Sequence, residues 1–314
     1  MAAPTVLAAT WRNGLIVGTG KTFGQELADQ SVRGLAPDGY GGTLAIVGGR
    51  SLRRRTAAGE WSTIATSDFD LSCCVAVGNA IYVGTDDAHV LRPGPDGVLE
   101  PLAGFDAVAG RDKWYAGSAL IDGRVVGPPL GIRSITATCN DAVLLANVHV
   151  GGIPRSVDGG VTWTPTLDIE SDVHQVCAHP TRPDIIIAAA AIGLCISRDG
   201  GASWTFEQDG LHGSYCSAVA FVGDHILVAA SEDHFAAQGA VYTRRLDGSG
   251  PLLPVGGGLP RWTEGIVDTS CIATHGPTVS VADKAGNLYV SEDAARTWSC
   301  AADRIPRASS LLVQ

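Results

Sequence analysis

The stretch SVDGGVTW, Ser156 to Trp163, returns as SRDGGASW, Ser197 to Trp204, beginning 41 residues later. A third version, SEDAARTW from Ser291 to Trp298, begins 94 residues after the second and has Ala295 where the others have Gly160 and Gly201. The first spacing is the length of a four-stranded repeat unit, and the second is two units plus an insertion. Each octapeptide follows an apolar strand-like run and ends on the Trp that opens the next, so it reads as the turn of a β-hairpin.

Working outward, an apolar strand and its partner recur at 32–49, 71–85, 133–147, 173–190, 216–230 and 269–283. A seventh unit is split. SSLLVQ at 309–314 supplies its first strand, while TVLAAT at 5–10 and GLIVGTG at 14–20 supply the next two. Pairing strands from the two termini removes the exposed edges of an open array. The chain therefore reads as one all-β domain, 1–314, a seven-bladed β-propeller, with a long insertion at 104–132. That insertion far exceeds the usual connection of about 4–6 residues, and Asp122-Gly123 within it suggests a small hairpin.

The octapeptide resembles the Asp-box, S-x-D-x-G-x-x-W, of sialidases, sortilin-type receptors, photosystem-assembly propellers and related bacterial repeat proteins. Ser156, Asp158, Gly160 and Trp163 match it, as do Ser197, Asp199, Gly201 and Trp204; Ser291, Asp293 and Trp298 match without the glycine. The resemblance implies a turn joining strands three and four of a blade, away from the usual ligand face. Asp and Ser side chains can bond turn N–H groups, Gly admits positive φ, and Trp packs between blades. Asp158 and Asp199 thus read as scaffold and not as catalytic acids.

The formal net charge of −10 argues against a nucleic-acid partner, since no basic stripe is present. IIIAAAAIGLCI falls well short of the roughly 20 residues of a membrane span. Neither a secretory leader nor a CxxC pair is evident, and Cys74, Cys139, Cys177 and Cys195 sit in strand-like runs. Reduced thiols in a cytoplasmic protein are the expectation.

In a propeller, ligands usually meet the fourth-to-first and second-to-third connections. His89, His149 and His234 fall in second-to-third connections, His212 in QDGLHGS between two blades, and His174 at the start of a first strand. His179, His225 and His275 fall in first-to-second turns and read as solvated. Alternate residues along a strand share a face, which gives the first strands two polar rows. The deeper row is Arg33, Ser72, Ser134, His174, Ser217, Ser270 and Ser310. The shallower row is Ser31, Asp70, Ile132, Asp172, Tyr215, Asp268 and Ala308. DLS, DVH, YCS and DTS are then equivalent tripeptides expected to face a central channel.

His174, Asp172, Tyr215 and Asp268 are the candidate catalytic residues, as imidazole, carboxylate and phenol are the groups of acid/base chemistry. His149, His174, His212 and His234 are candidate ligands of a divalent first-row ion, Zn, Mn, Fe or Cu. Arg33, Asp70, Arg133, Ser217 and Ser270 would line a small-molecule site, with Trp114 from 104–132 and Arg261 and Trp262 from PVGGGLPRWTEG. These residues point to a metal-dependent hydrolase or lyase, or to a metal-free His–Asp pair. A non-catalytic binding or assembly propeller with a polar, water-filled channel is the competing reading. A sialidase-like glycoside hydrolase is a third, supported only by GGIPRS; Arg33 and Arg133 lie at adjacent parities, so only one of them can point inward.

Overall fold

The computed structural model describes residues 4–116, 119–121, 124–126 and 130–314. It is a seven-bladed β-propeller of small antiparallel sheets with almost no helix. Blade one runs Val32–Pro37, Thr43–Val47, Ser51–Arg55 and Trp61–Thr66; blade two runs Leu71–Val77, Ala80–Thr85, Val90–Pro93 and Leu99–Pro101. Blade three is Ile132–Ala137, Leu144–Val148, Pro154–Ser156 and Thr164–Pro165; blade four is Val173–Ala178, Ile186–Ala190, Gly193–Ser197 and Thr205–Glu207.

Blade five, Tyr215–Val222, His225–Ser231, Gln238–Arg245 and Leu253–Pro254, takes Thr263–Glu264 as a further partner of its third strand. Blade six is Ile272–His275, Thr278–Ala282, Leu288–Ser291 and Ser299–Ala302. Blade seven is the composite one. Ala308–Val313 pairs antiparallel with Thr5–Thr10, as the split repeat predicts, with Leu7 opposite Leu312. Leu15–Thr19 and Thr22–Glu26 complete it. Within the insertion, Ala119–Ile121 pairs with Arg124–Val126, so a hairpin is present; its Asp122-Gly123 turn lies outside the described residues.

The chain divides into two compact units, one of Met1–Leu35, Ala189–Cys195 and Phe206–Gln314, the other of Ala36–Ala188 and Ile196–Thr205. Each has its own apolar core, around Leu227, Val279 and Leu311 in the first and around Phe105, Ile132 and Val148 in the second.

The three octapeptides fold alike. Ser156, Ser197 and Ser291 each donate to the Asp two residues on, at 2.8, 2.8 and 2.9 Å, and accept from the N–H four residues on. The aspartates in turn accept from Thr162, Ser203 and Thr297 through both N–H and hydroxyl. Each box also meets the blade before it. Phe105 lies edge-on to Trp163 at 5.1 Å, Trp204 donates to the Thr166 hydroxyl, and Trp298 N–H donates to Gly257 O at 2.7 Å. A Cβ at Gly104 would come within 1.9 Å of Val161 O, and one at Gly257 within 1.9 Å of Arg296 O. Only glycine permits these approaches.

These hydrogen bonds decide the scaffold question. Thr162 leads in holding the Asp158 carboxyl down at about 2. At Asp199 slight burial opposes the charge, but donors from Ser203, Ser197 and Ala202 prevail, again to about 2. Neither can carry a proton near neutrality, so neither serves as a general acid.

The first strands differ from the expected alternation. In blades two, three, five and seven the register slips by one residue, leaving Ser72, Arg133, Ser217 and Ser309 as the extra residues of β-bulges. A bulge breaks the two-residue period, so residues two apart across it do not share a face. Three of these bulge hydroxyls turn into the walls and donate to the next blade: Ser72 to Ile132 O at 2.5 Å, Ser217 to Val267 O at 2.5 Å and Ser309 to Val32 O at 2.6 Å. Ser134 and Ser310 are buried and accept from the next blade, from Val176 N and Leu35 N. The expected row of channel hydroxyls is therefore largely a set of inter-blade staples.

Candidate functional site

Blade three breaks the staple pattern. Its bulge residue is Arg133, and the carbonyl at the head of the next blade, Val173 O, is held instead by the side-chain amide of Asn147 at 2.8 Å. Ser134 donates to Asn147 Oδ1 at 2.5 Å and fixes that amide. The position that elsewhere carries a short staple hydroxyl thus carries a guanidinium, and its charge acts on Asp172.

Asp172 is placed by its backbone. A short 3₁₀ turn, Ile169–Ser171, is capped by Asp168 accepting from Glu170 N, and Asp172 follows it at φ 47° before the strand opens at Val173. Positive φ in a non-glycine residue is uncommon and costs on the order of 1–2 kcal/mol. It points the carboxylate away from the strand's own alternation. His174 follows, only 1% exposed. His149 comes from the connection after Leu144–Val148, its N–H donating to Gly131 O at 3.0 Å.

The three side chains converge on one oxygen. His149 Nε2 lies 3.3 Å and His174 Nε2 3.6 Å from Asp172 Oδ1, with the imidazole centroids 6.2 Å apart. All three donor atoms lie within 4.8 Å of one another, the one such group of His, Cys, Asp or Glu among the described residues. Burial opposes the Asp172 charge, but His174 beside it, then His149 and Arg133, outweigh burial and hold the carboxyl below its ordinary range. Tyr115 is exposed, its N–H donating to Val150 O at 3.2 Å. Desolvation, then the negative charges of Glu170 and Asp172, push its phenol up. Tyr115 and Glu170 come from the insertion and the 3₁₀ turn, segments whose repeat pattern is silent.

The remaining candidates have partners of their own. In the first unit, Tyr215 OH pairs with His234 Nδ1 at 3.3 Å, and His212 Nδ1 with Tyr242 OH at 2.7 Å, where Arg261 and Trp262 also pack. Of the four candidate metal-ligating histidines, His149 and His174 meet at Asp172 within the second unit, while His212 and His234 belong to the first. Ser217 is a staple, and Ser270 is not on a strand: residues 268–271 form a turn with Ser270 at φ 60°. Asp268 pairs with Arg307 at 2.7 Å. Asp70 pairs with Arg50 at 3.2 Å on the surface, and Arg33 lies over the Trp11 ring.

Trp114 is 8% exposed, packed on Phe105 beneath Arg111. His179 is buried, not solvated, because its Nδ1 accepts from Thr181 N and Arg182 N in a tight turn. Cys139 is exposed in a turn; five other cysteines are buried, and burial pushes Cys195 up to about 12. Such thiols are packing groups and not nucleophiles. No helix among the described residues is long and apolar enough to cross a membrane.

No protein-family model matches the chain, and no curated protein matches it. Solved structures do. It is similar to a putative 6-phosphogluconolactonase from Bacteroides uniformis ATCC 8492, at TM-score 0.67 and 13% identity, with 100% of each chain covered. It is similar to an ancestral GH74 enzyme at TM-score 0.63 and 12% identity, covering 100% of this chain and 40% of that one. The WD40 β-propeller domain of Doa1 gives TM-score 0.60 at 12% identity, over 95% of this chain and 86% of that one. At these identities the likeness establishes the propeller fold alone.

Proposed function

We propose that His149, Asp172 and His174 hold a divalent first-row metal ion and that the protein is a metal-assisted hydrolase of a small anionic molecule. The carrying observation is the spacing of the three donors. Ligands about 2.0–2.1 Å from one tetrahedral zinc lie about 3.4 Å apart, and the two Nε2–Oδ1 separations are 3.3 and 3.6 Å. The longer one exceeds a good hydrogen bond. Two imidazoles and one carboxylate suit zinc or ferrous iron better than calcium or magnesium.

A bound ion would supply an activated water or a polarised carbonyl. The protein's own groups do the rest. Arg133, beside Asp172, attracts the anionic part of the substrate and stabilises negative charge building on its reacting oxygen. Tyr115, whose phenol is pushed up by desolvation and by Glu170 and Asp172, stays neutral and offers its hydroxyl as a hydrogen-bond donor to the substrate. Two of the similar structures are named as a lactonase and a GH74 enzyme, which makes lactones, esters and glycosides the first substrates to try. The octapeptides support a place among Asp-box propellers, a membership that concerns the frame and leaves the chemistry to this site.

The test is calorimetric titration of chelator-stripped protein with Zn²⁺ and Mn²⁺, alongside His149→Ala and His174→Ala. Each variant should lose affinity at least about 100-fold, the scale of removing one of three ligands. If the intact protein binds neither ion, or His174→Ala binds as the parent does, the reading fails and a non-catalytic binding propeller stands in its place.

A further inference from the structure

The first unit holds a second constellation, built around one phenol. Tyr242 is fully buried on Gln238–Arg245. Its oxygen meets three groups: His212 Nδ1 at 2.7 Å, His212 N at 3.2 Å and Arg261 Nη2 at 3.2 Å. A phenol has one proton and two lone pairs. The backbone N–H and the guanidinium can only donate, so they fill the lone pairs, and the phenol proton must go to Nδ1. Nδ1 is therefore the acceptor, which leaves His212 neutral with its proton on Nε2. Burial, and then the Arg261 charge, hold the imidazole below its ordinary range, in agreement with that neutral form.

Arg261 is held as firmly. Its guanidinium carbon sits 4.1 Å from the Trp262 ring centroid and 5.3 Å from that of Tyr242. Stacking fixes the plane of the fork, and its other N–H groups meet no partner among the described residues. The loop itself is anchored. Trp298 N–H donates to Gly257 O, Gly258 at φ 108° approaches Trp298 O, and Thr263–Glu264 pairs with Gln238 and Gly239. The third octapeptide thus supports the segment bearing Arg261. His212 meets Trp262 edge-on at 4.8 Å, and Trp262 is 40% exposed.

We infer that His212, Tyr242, Arg261 and Trp262 form a second ligand site, selective for a small oxyanion, a carboxylate or a phosphate. The groups it presents are donors: the edge of a pre-set guanidinium and an imidazole Nε2–H. Glu232 is the acidic group that acts on His212, and it competes with an incoming anion.

The test is calorimetric titration with inorganic phosphate and, separately, with succinate. It is run on the parent protein and on Arg261→Gln, Arg261→Lys, Glu232→Gln and His174→Ala. One of the two anions should bind. Arg261→Gln should abolish binding, Arg261→Lys should weaken it about tenfold because the fork is lost while the charge stays, and Glu232→Gln should tighten it. Binding must persist in His174→Ala, which separates this site from the proposed metal centre. Nitrogen-15 spectra of the imidazoles should show His212 protonated on Nε2 alone. Binding of neither anion, full binding by Arg261→Gln, or loss of binding in His174→Ala with retention in Arg261→Gln would each overturn the inference.

Discussion

Asn147 donates its side-chain amide to Val173 O, doing for blade three what a bulge serine does in blades two, five and seven. The substitution places Arg133 at the bulge and ties the strand that leads into His149 to the strand carrying His174. Site and scaffold share that one amide.

Asn147→Ala should therefore act on both. It leaves Val173 O and the Ser134 hydroxyl without their buried partner, a loss of about 1–3 kcal/mol. It also loosens the head of the strand that follows Asp172. Denaturant midpoints should fall, and zinc affinity should fall with them at temperatures where the variant is folded. An unchanged midpoint would show that water or Ser134 takes over the carbonyl.

Ala294 and Ala295 adopt φ 60° and 65°, where the other octapeptides place Gly159 with Gly160 and Gly200 with Gly201. An L-residue in that region is strained by on the order of 1–2 kcal/mol, while glycine costs the chain extra entropy on folding of about 0.4–1 kcal/mol. Ala295→Gly should stabilise the protein by about 0.5–1 kcal/mol, read as a higher unfolding midpoint. A lower midpoint would mean that packing of the alanine methyl outweighs its strain.

The boxes also set an acid limit. Asp158, Asp199 and Asp293 are each held at about 2 against an ordinary 3.8. For a depressed carboxylate the stabilisation is complete above the unfolded value and disappears as pH falls through the folded one. Stability should thus decline between about pH 4 and pH 2, and Asp199→Asn should flatten that decline. Equal pH slopes for parent and variant would sink the assignment.

Much of the frame was legible. The octapeptide spacing gave the blade length, and the split seventh unit predicted that 309–314 pairs beside 5–10. The bulges at Ser72, Arg133, Ser217 and Ser309 were not legible, because one inserted residue leaves no mark on an apolar pattern and yet reverses every side chain beyond it. His174 stood out because its place in the deeper row holds Ser in most blades, and the structure groups it with His149 and Asp172. Tyr115 and Glu170 could not be tied to it. They arrive through the insertion and a 3₁₀ turn, where contacts depend on tertiary packing and not on period. Tyr215 and His212 were grouped with His174 by row and loop class; the bonds of His212 to the buried Tyr242 and of Tyr215 to His234 leave no mark on the sequence pattern.

On the proposed reading, Arg133 offers the sharpest division between binding a metal ion and using it. A guanidinium beside a two-histidine, one-carboxylate group repels a dication, so it is not there to strengthen metal binding. Its charge lowers the Asp172 carboxyl, but His174 and His149 do so more strongly. What remains is attraction of an anionic substrate and of charge developing on it. Arg133→Met keeps the length of the side chain and removes the charge. Zinc should bind to this variant at least as tightly as to the parent, since one repulsion is gone, while kcat/KM on an anionic substrate should drop by about 10²–10³, the cost of one charged contact at the reacting oxygen. On a neutral substrate of the same class the drop should be smaller, because the ground-state attraction is then absent from the comparison. If zinc binding weakens instead, Arg133 serves to position Asp172, and the substrate's charge must be met by another residue.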